Sequence, residues 1–245
     1  GFSEFFPISS SGNIYFYSNL LNTCACTISF DILVHCAALI ALLFVYYRDL
    51  IHIFKSRLSH FNKMLMISCV PILVLFWILG STIENFIYSI ITGALIFYET
   101  MYNPGKKQLK NMNVKDALII GAFHSVGIIP AFSRTGMALC GGLHQRYNGK
   151  SSLKYAYLLA IPAMFGKIIF DLVKIYASSE GAVVKEVFGF FPMLGAFFTA
   201  LIGSVAAIRI MQRIVVKGKL RIFAYYLFII GIITLADMLF IHKIF

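Results

Sequence analysis

Charge is scarce in this sequence. Only 13% of its 245 residues are Asp, Glu, Lys or Arg, while 60% are hydrophobic. Soluble domains carry about a quarter charged residues. A water-facing surface able to cover so much apolar material cannot be assembled from this composition, which excludes a soluble globular fold. Acidic residues are the scarcer kind: 10 Asp and Glu stand against 21 Lys and Arg, for a net charge of +11. In a soluble chain that imbalance points to nucleic acid. In so apolar a chain it points to basic loops that orient membrane spans, and no nucleic-acid partner is expected. Cysteine is also sparse, five in all. Cys36, Cys69 and Cys140 lie in apolar runs and read as small hydrophobes. Cys24 and Cys26 form a lone CxC in a loop, a weak signal for a metal or a disulfide. No secretory leader is visible, and the chain opens at Gly1 inside a motif-like stretch, which reads as a fragment without its native start.

Long apolar runs are what the sequence does have. Phe30–Tyr47, Met64–Gly80, Phe86–Tyr102, Leu153–Ala177, Phe188–Ile210 and Ile222–Phe240 read as six transmembrane helices. Two further apolar segments, Gly1–Leu21 and Ala117–Leu143, are interrupted by Gly, Pro and Ser and read as broken or re-entrant helical hairpins. The expected fold is an all-α integral membrane protein with a single domain over residues 1–245. Sixteen of the 21 basic residues flank alternate loops, among them Arg48, Lys106, Arg146 and Arg213; the opposite loops, Ser81–Asn85 and Ser178–Val187, contain only Lys185. The basic side is therefore read as cytoplasmic, in a multi-pass protein of the bacterial inner membrane. Tyr46, Tyr47, Tyr98 and Tyr102 read as interfacial anchors.

An internal repeat is legible. Phe5-Phe-Pro-Ile-Ser-Ser-Ser-Gly12 precedes three spans, and Ile129-Pro-Ala-Phe-Ser-Arg-Thr-Gly136 precedes another three. Pro7 stands 23 residues before Phe30 and Pro130 stands 23 before Leu153. The halves, approximately 1–105 and 115–245, have opposite orientation by charge. That pattern is an inverted-topology repeat, whose site lies where the broken helices meet.

Those hairpins hold the chemistry. Arg134 is an arginine in an apolar stretch, costly there and functional by default, with a planar fork suited to phosphate or carboxylate. Ser9, Ser10 and Ser11 offer hydroxyls beside a flexible backbone able to form an anion nest. Glu4, six residues before Ser10, is a candidate base or metal ligand. The bland alternative is a buried Glu4–Arg134 pair that merely joins the halves, which leaves the flanking serines unexplained. His35 reads first as a structural hydrogen-bonding residue, and Glu99 as a snorkelling or capping group. Lys167 and Asp171, four apart on one helix face, read as a pair and as second-tier site candidates.

The two motifs, Gly1-Phe-Ser-Glu-Phe-Phe-Pro-Ile-Ser-Ser-Ser-Gly12 and Pro130-Ala-Phe-Ser-Arg-Thr-Gly136, resemble the signature motifs of the bacterial undecaprenyl-diphosphate phosphatase family, the bacitracin-resistance type. The resemblance covers nearly the whole chain, including Phe30-Asp31, His35, Glu99, Leu158–Pro162 and Phe223–Tyr225. It implies hydrolysis of undecaprenyl diphosphate to undecaprenyl phosphate, the carrier lipid of cell-wall precursors, with a polyprenyl diphosphate and membrane lipids as partners. By similarity Glu4, Ser10 and Arg134 are catalytic, while Ser9, Ser11, Asn13, Ser133, Thr135 and His124 bind substrate. A divalent cation, Mg²⁺ or Ca²⁺, assists such enzymes, with Glu4 as its candidate ligand. Asn13 stands where the family usually has His, Ala131 where it has Gly, and His124 where Gln is common. Asn cannot transfer a proton near neutral pH, and His124 is a candidate to replace that imidazole. The competing reading is a lipid transporter or flippase, or a catalytically impaired homologue that binds prenyl phosphates, since inverted repeats with broken helices are also a transporter architecture.

Overall fold

The computed structural model describes residues 1–10, 13, 28–55, 59–79, 87–101, 105–127, 129, 132–177 and 190–236. Nine α-helices occur among them: α1 Ile28–Val45, α2 Tyr47–Lys55, α3 His60–Leu79, α4 Ile87–Met101, α5 Val114–Val126, α6 Arg134–His144, α7 Gly149–Ala177, α8 Phe190–Val216 and α9 Arg221–Ala236. No strand occurs among the described residues; one isolated parallel bridge joins Lys107 to Tyr147. Each of the six apolar runs forms a helix, with ends within a few residues of those expected. Ala117–Leu143 is broken as expected, into α5 and α6. The loops Ser81–Asn85 and Ser178–Val187, together with Cys24, Cys26, Ser11, Gly12, Pro130 and Ala131, lie outside the described residues.

By length and composition, one described helix segment, Phe191–Val216, can cross a membrane alone. A second qualifies if Phe30–Val45 and Tyr47–Lys55, bent by 74° at their junction, count as one span. Ile90–Thr100 and Arg221–Ile233 are apolar but shorter.

Burial runs in the sense a lipid solvent demands. Small and hydroxyl-bearing side chains are inside: Ala37, Ala38, Ala41, Ser68, Thr92 and Ser204 are fully buried. Some large apolar side chains face out, among them Tyr176 at 95% and Phe191 at 82% exposed, while others such as Leu42 and Ile96 are buried. Apolar tails give helices no hydrophobic reason to associate, so close backbone approach and hydroxyl bonds hold them together. Gly121 on α5 illustrates this: a Cβ there would lie 2.3 Å from the Ser68 carbonyl oxygen of α3. The Ser68 hydroxyl in turn donates to Ala117 O at 2.7 Å and meets Tyr155 Oη at 2.7 Å.

Helix contacts interleave the two halves. α1 packs on α7 and α8, α3 on α5 and α7, α4 on α6 and α9, and α6 on α5 and α7. At the basic end Asp116 closes a capping box with Asn113 at the start of α5, and its carboxylate accepts from Lys107 Nζ and, at 2.6 Å, from Tyr147 Oη. The segment before α5 is thereby fastened to the turn between α6 and α7.

Candidate active site

The site forms where the 3-10 turn Phe2–Phe5 meets the N-terminus of α6. Ser133 is the N-cap of α6, its hydroxyl accepting from Gly136 N at 3.2 Å, so Arg134 is the first helical residue. A guanidinium and the positive end of a helix dipole thus coincide, an arrangement that favours an anion.

The turn that carries Glu4 has few hydrogen bonds of its own and borrows hydroxyls from the second half. Glu4 O accepts from Thr135 Oγ1 at 3.3 Å, Phe5 O from Tyr157 Oη at 2.8 Å, and Phe6 O from both Ser133 Oγ and Thr135 Oγ1 at 3.5 Å. Three consecutive carbonyls are thereby fixed by α6 and α7. Phe5 stacks edge-on to Tyr157 at 5.6 Å, and Phe6 lies 5.2 Å from the Phe223 ring of α9.

Held in this way, Glu4 meets the second motif. Arg134 Nη2 donates to Glu4 Oε2 at 3.3 Å, and the Ser10 hydroxyl hydrogen-bonds to the same carboxylate. The Glu4 side chain is 9% exposed and that of Arg134 21%, so the pair is sheltered yet reachable. The three residues expected to be catalytic are therefore brought together. Ser9 sits in the left-handed region at φ 56° and is buried. For a residue with a Cβ this costs on the order of 1 kcal/mol and persists only where the surroundings enforce it. Asn13 does the enforcing: its Nδ2 donates to Ile8 O at 2.7 Å and to Ser9 O at 2.9 Å, its backbone N–H donates to Ser9 O at 3.1 Å, and its Oδ1 accepts from Tyr226 Oη. Asn13 thus shapes the loop that presents Ser10, an interior task its sequence position did not reveal. Likewise Ser133 and Thr135, expected at the substrate, spend their hydroxyls on capping α6 and pinning the turn. Ser11 lies outside the described residues. His124 is fully buried, and neither ring nitrogen has a hydrogen-bond partner among the described residues.

His35 was expected to make a structural hydrogen bond, and it does, with Nδ1 2.8 Å from Asp31 O, while its other nitrogen faces Arg134. His35 of α1 is buried, with Nε2 3.3 Å from Arg134 Nη2 and 3.6 Å from Glu4 Oε1. Two signals were available for it: an ionisable side chain inside a span, and the i,i+4 spacing to Asp31. Lys167 and Asp171 do pair, at 2.7 Å, and Lys167 also reaches Asp31 at 2.6 Å. Glu99 is buried rather than snorkelling, with His144 Nδ1 3.0 Å from its carboxylate. For a divalent cation the protein offers little: no cluster of three or more His, Cys, Asp or Glu able to hold a metal occurs among the described residues.

Comparison with known proteins identifies relatives along nearly the whole chain. Curated relatives include undecaprenyl-diphosphatases of Carboxydothermus hydrogenoformans, 28% identical over 96% of this chain and 92% of the relative, and of Halothermothrix orenii, 29% identical over 96% and 93%. A third, from Methanosphaera stadtmanae, is 28% identical over 96% and 93%. The family model described as bacitracin resistance protein BacA matches residues 1–233, a span that contains Glu4, Ser10, His35 and Arg134, and the chain belongs to that family.

Proposed function

We propose that this protein is an undecaprenyl-diphosphatase of the membrane, removing the terminal phosphate of undecaprenyl diphosphate to leave undecaprenyl phosphate. The observation that carries the reading is the meeting of Glu4, Ser10 and Arg134 at the dipole end of α6. Phosphoryl transfer asks chiefly for positioning and neutralised charge, and these groups supply both. Arg134 binds the terminal phosphate. With Arg134 still held beside Glu4 and its remaining N–H groups on the phosphate, the Glu4 carboxylate takes the proton of Ser10, or of a water in the same place. That oxygen attacks the terminal phosphorus, the bond to the bridging oxygen breaks, and undecaprenyl phosphate leaves; where Ser10 is the attacker, a water then hydrolyses the phosphoserine, releasing inorganic phosphate and restoring the hydroxyl. The buried nitrogens of His124 are proposed to meet the phosphate, and Ser9 and Ser11 to contribute backbone to its cradle.

A divalent cation fits this site only in part. Mg²⁺ is commonly bound through one or two carboxylates plus substrate phosphates, so Glu4 would be the protein ligand for Mg²⁺ or Ca²⁺, which would neutralise charge on the diphosphate. Chelation with EDTA is expected to lower phosphate release about tenfold or more, with recovery on adding Mg²⁺ or Ca²⁺. Unchanged release would remove the cation from the scheme and leave the rest standing.

We also read the chain as one domain of six spans and two hairpins with inverted halves. The packing supports this. If α1, α3 and α4 correspond to α7, α8 and α9, a two-fold exchange carries the α1–α7 and α4–α9 contacts onto themselves and the α1–α8 contact onto α3–α7, and all of these occur. The basic loops are then cytoplasmic.

Phosphate release from undecaprenyl diphosphate by the purified protein tests the function. Glu4→Gln and Ser10→Ala are each expected to reduce kcat by about a hundredfold or more. Binding without release, in wild type and variants alike, would favour the lipid-transport alternative.

A further inference from the structure

We infer that His35 is a positioning residue that aims the Arg134 guanidinium, itself fixed by a chain of charges running back through Asp31 and Lys167 to Asp171. This rests on the phosphatase reading of the same site and adds a residue to it.

The ring's proton can be located by chemistry. His35 Nδ1 lies 2.8 Å from Asp31 O and 3.3 Å from Asp31 Oδ1. A backbone carbonyl can only accept, so Nδ1 carries a hydrogen, which leaves Nε2 as the nitrogen that can meet a donor. Arg134 Nη2 lies 3.3 Å from Nε2, and a guanidinium can only donate. Nη2 therefore gives one hydrogen to His35 Nε2 and the other to Glu4 Oε2, at the same distance. With both hydrogens committed in different directions the guanidinium plane cannot swivel, and the hydrogens on Nη1 and Nε, which neither contact uses, point in a fixed direction for an anion.

His35 is itself restrained. Asp31 Oδ2 accepts from Lys167 Nζ at 2.6 Å, and Lys167 is held on its other side by Asp171 at 2.7 Å. Lys167 and Asp171 belong to α7, Asp31 and His35 to α1, and Arg134 to α6, so the chain ties three helices of both halves to one side-chain orientation. Charged side chains in apolar helices are costly, and alternating signs from Asp171 through Lys167 and Asp31 offset part of that cost, with Lys167 31% and Asp31 33% exposed. Neutral packing residues would have served if only cohesion between α1 and α7 were needed.

The test separates hydrogen-bond acceptor from volume. His35→Gln keeps an acceptor at about the reach of Nε2, while His35→Leu keeps bulk alone, with His35→Met standing in if the Leu variant fails to fold in detergent. Two readouts are taken: kcat and KM for phosphate release from undecaprenyl diphosphate, and Kd for farnesyl diphosphate, which needs no turnover. The Leu variant is expected to lose about thirtyfold in kcat/KM, mostly in kcat, and to bind about tenfold more weakly, as misaiming by a fraction of an ångström does. The Gln variant is expected to stay within about threefold on both, and Lys167→Met to fall between them. Equal behaviour of Gln and Leu, whether both active or both impaired, overturns the inference. If wild type releases no phosphate, the phosphatase reading fails, and the Kd series alone still decides whether His35 aims Arg134.

Discussion

Arg134→Ala is expected to reduce phosphate release by about a thousandfold, because it removes the cation that meets the transferring phosphoryl group. It also leaves the Glu4 carboxylate, 9% exposed, without its arginine. Breaking one side of a buried pair costs about 3–5 kcal/mol; the Ser10 hydroxyl bond remains, so the lower end applies. The two effects are separable. Glu4→Gln combined with Arg134→Ala removes the stranded charge and is expected to recover most of the thermal stability in detergent, with no recovery of turnover. Arg134→Lys keeps the charge but not the planar fork shared between Glu4 and His35, and about a thirtyfold loss is expected. Turnover near wild type in the Ala variant would show that the phosphate is held elsewhere.

A large stability effect, independent of the site, is expected at Gly121→Ala. Its added methyl would meet the Ser68 carbonyl oxygen at 2.3 Å and the Ser68 carbonyl carbon at 2.9 Å, all backbone, so α5 and α3 must separate. Overpacking costs typically about 1–3 kcal/mol, and a rigid backbone contact belongs at the upper end, roughly 6–12 °C in Tm for a chain of this size. Separation also strains the Ser68 bridge to Ala117 O and Tyr155. Gly166→Ala is the matched control: a Cβ there has nothing within 4 Å, and replacing a helical glycine with alanine should leave Tm unchanged or raise it. Equal changes of Tm in the two variants would mean that the close α3–α5 crossing does not govern the result.

These particulars mark how far the sequence could be read. The apolar runs became helices because a long, mostly apolar stretch has few alternatives, and Ala117–Leu143 is divided into α5 and α6. Glu4, Ser10 and Arg134 were legible because ionisable and hydroxyl groups in an apolar context stand out. What stayed hidden depends on partners distant in sequence. Asn13 looked like a substrate ligand because nothing local tells that its amide will close over Ile8 and Ser9 and meet Tyr226. His35 looked structural because its lone pair finds Arg134 only once α1 and α6 are packed. Ser133 and Thr135 carry hydroxyls in a motif, and a motif does not say whether they face a ligand or a neighbouring carbonyl.

The borrowed hydroxyls around Glu4 have a consequence for biosynthesis. Phe5 leaves the ribosome long before Tyr157 exists, and Asn13 long before Tyr226. Until those later helices are inserted, the carbonyls of residues 4 to 6 and the left-handed turn at Ser9 have no lasting ties, and the acidic arm waits in the membrane or at its edge. Catalytic competence thus arrives only once α9 has been made and inserted, so a nascent polypeptide that stops short of α9 holds no half-built phosphatase able to act on carrier lipid.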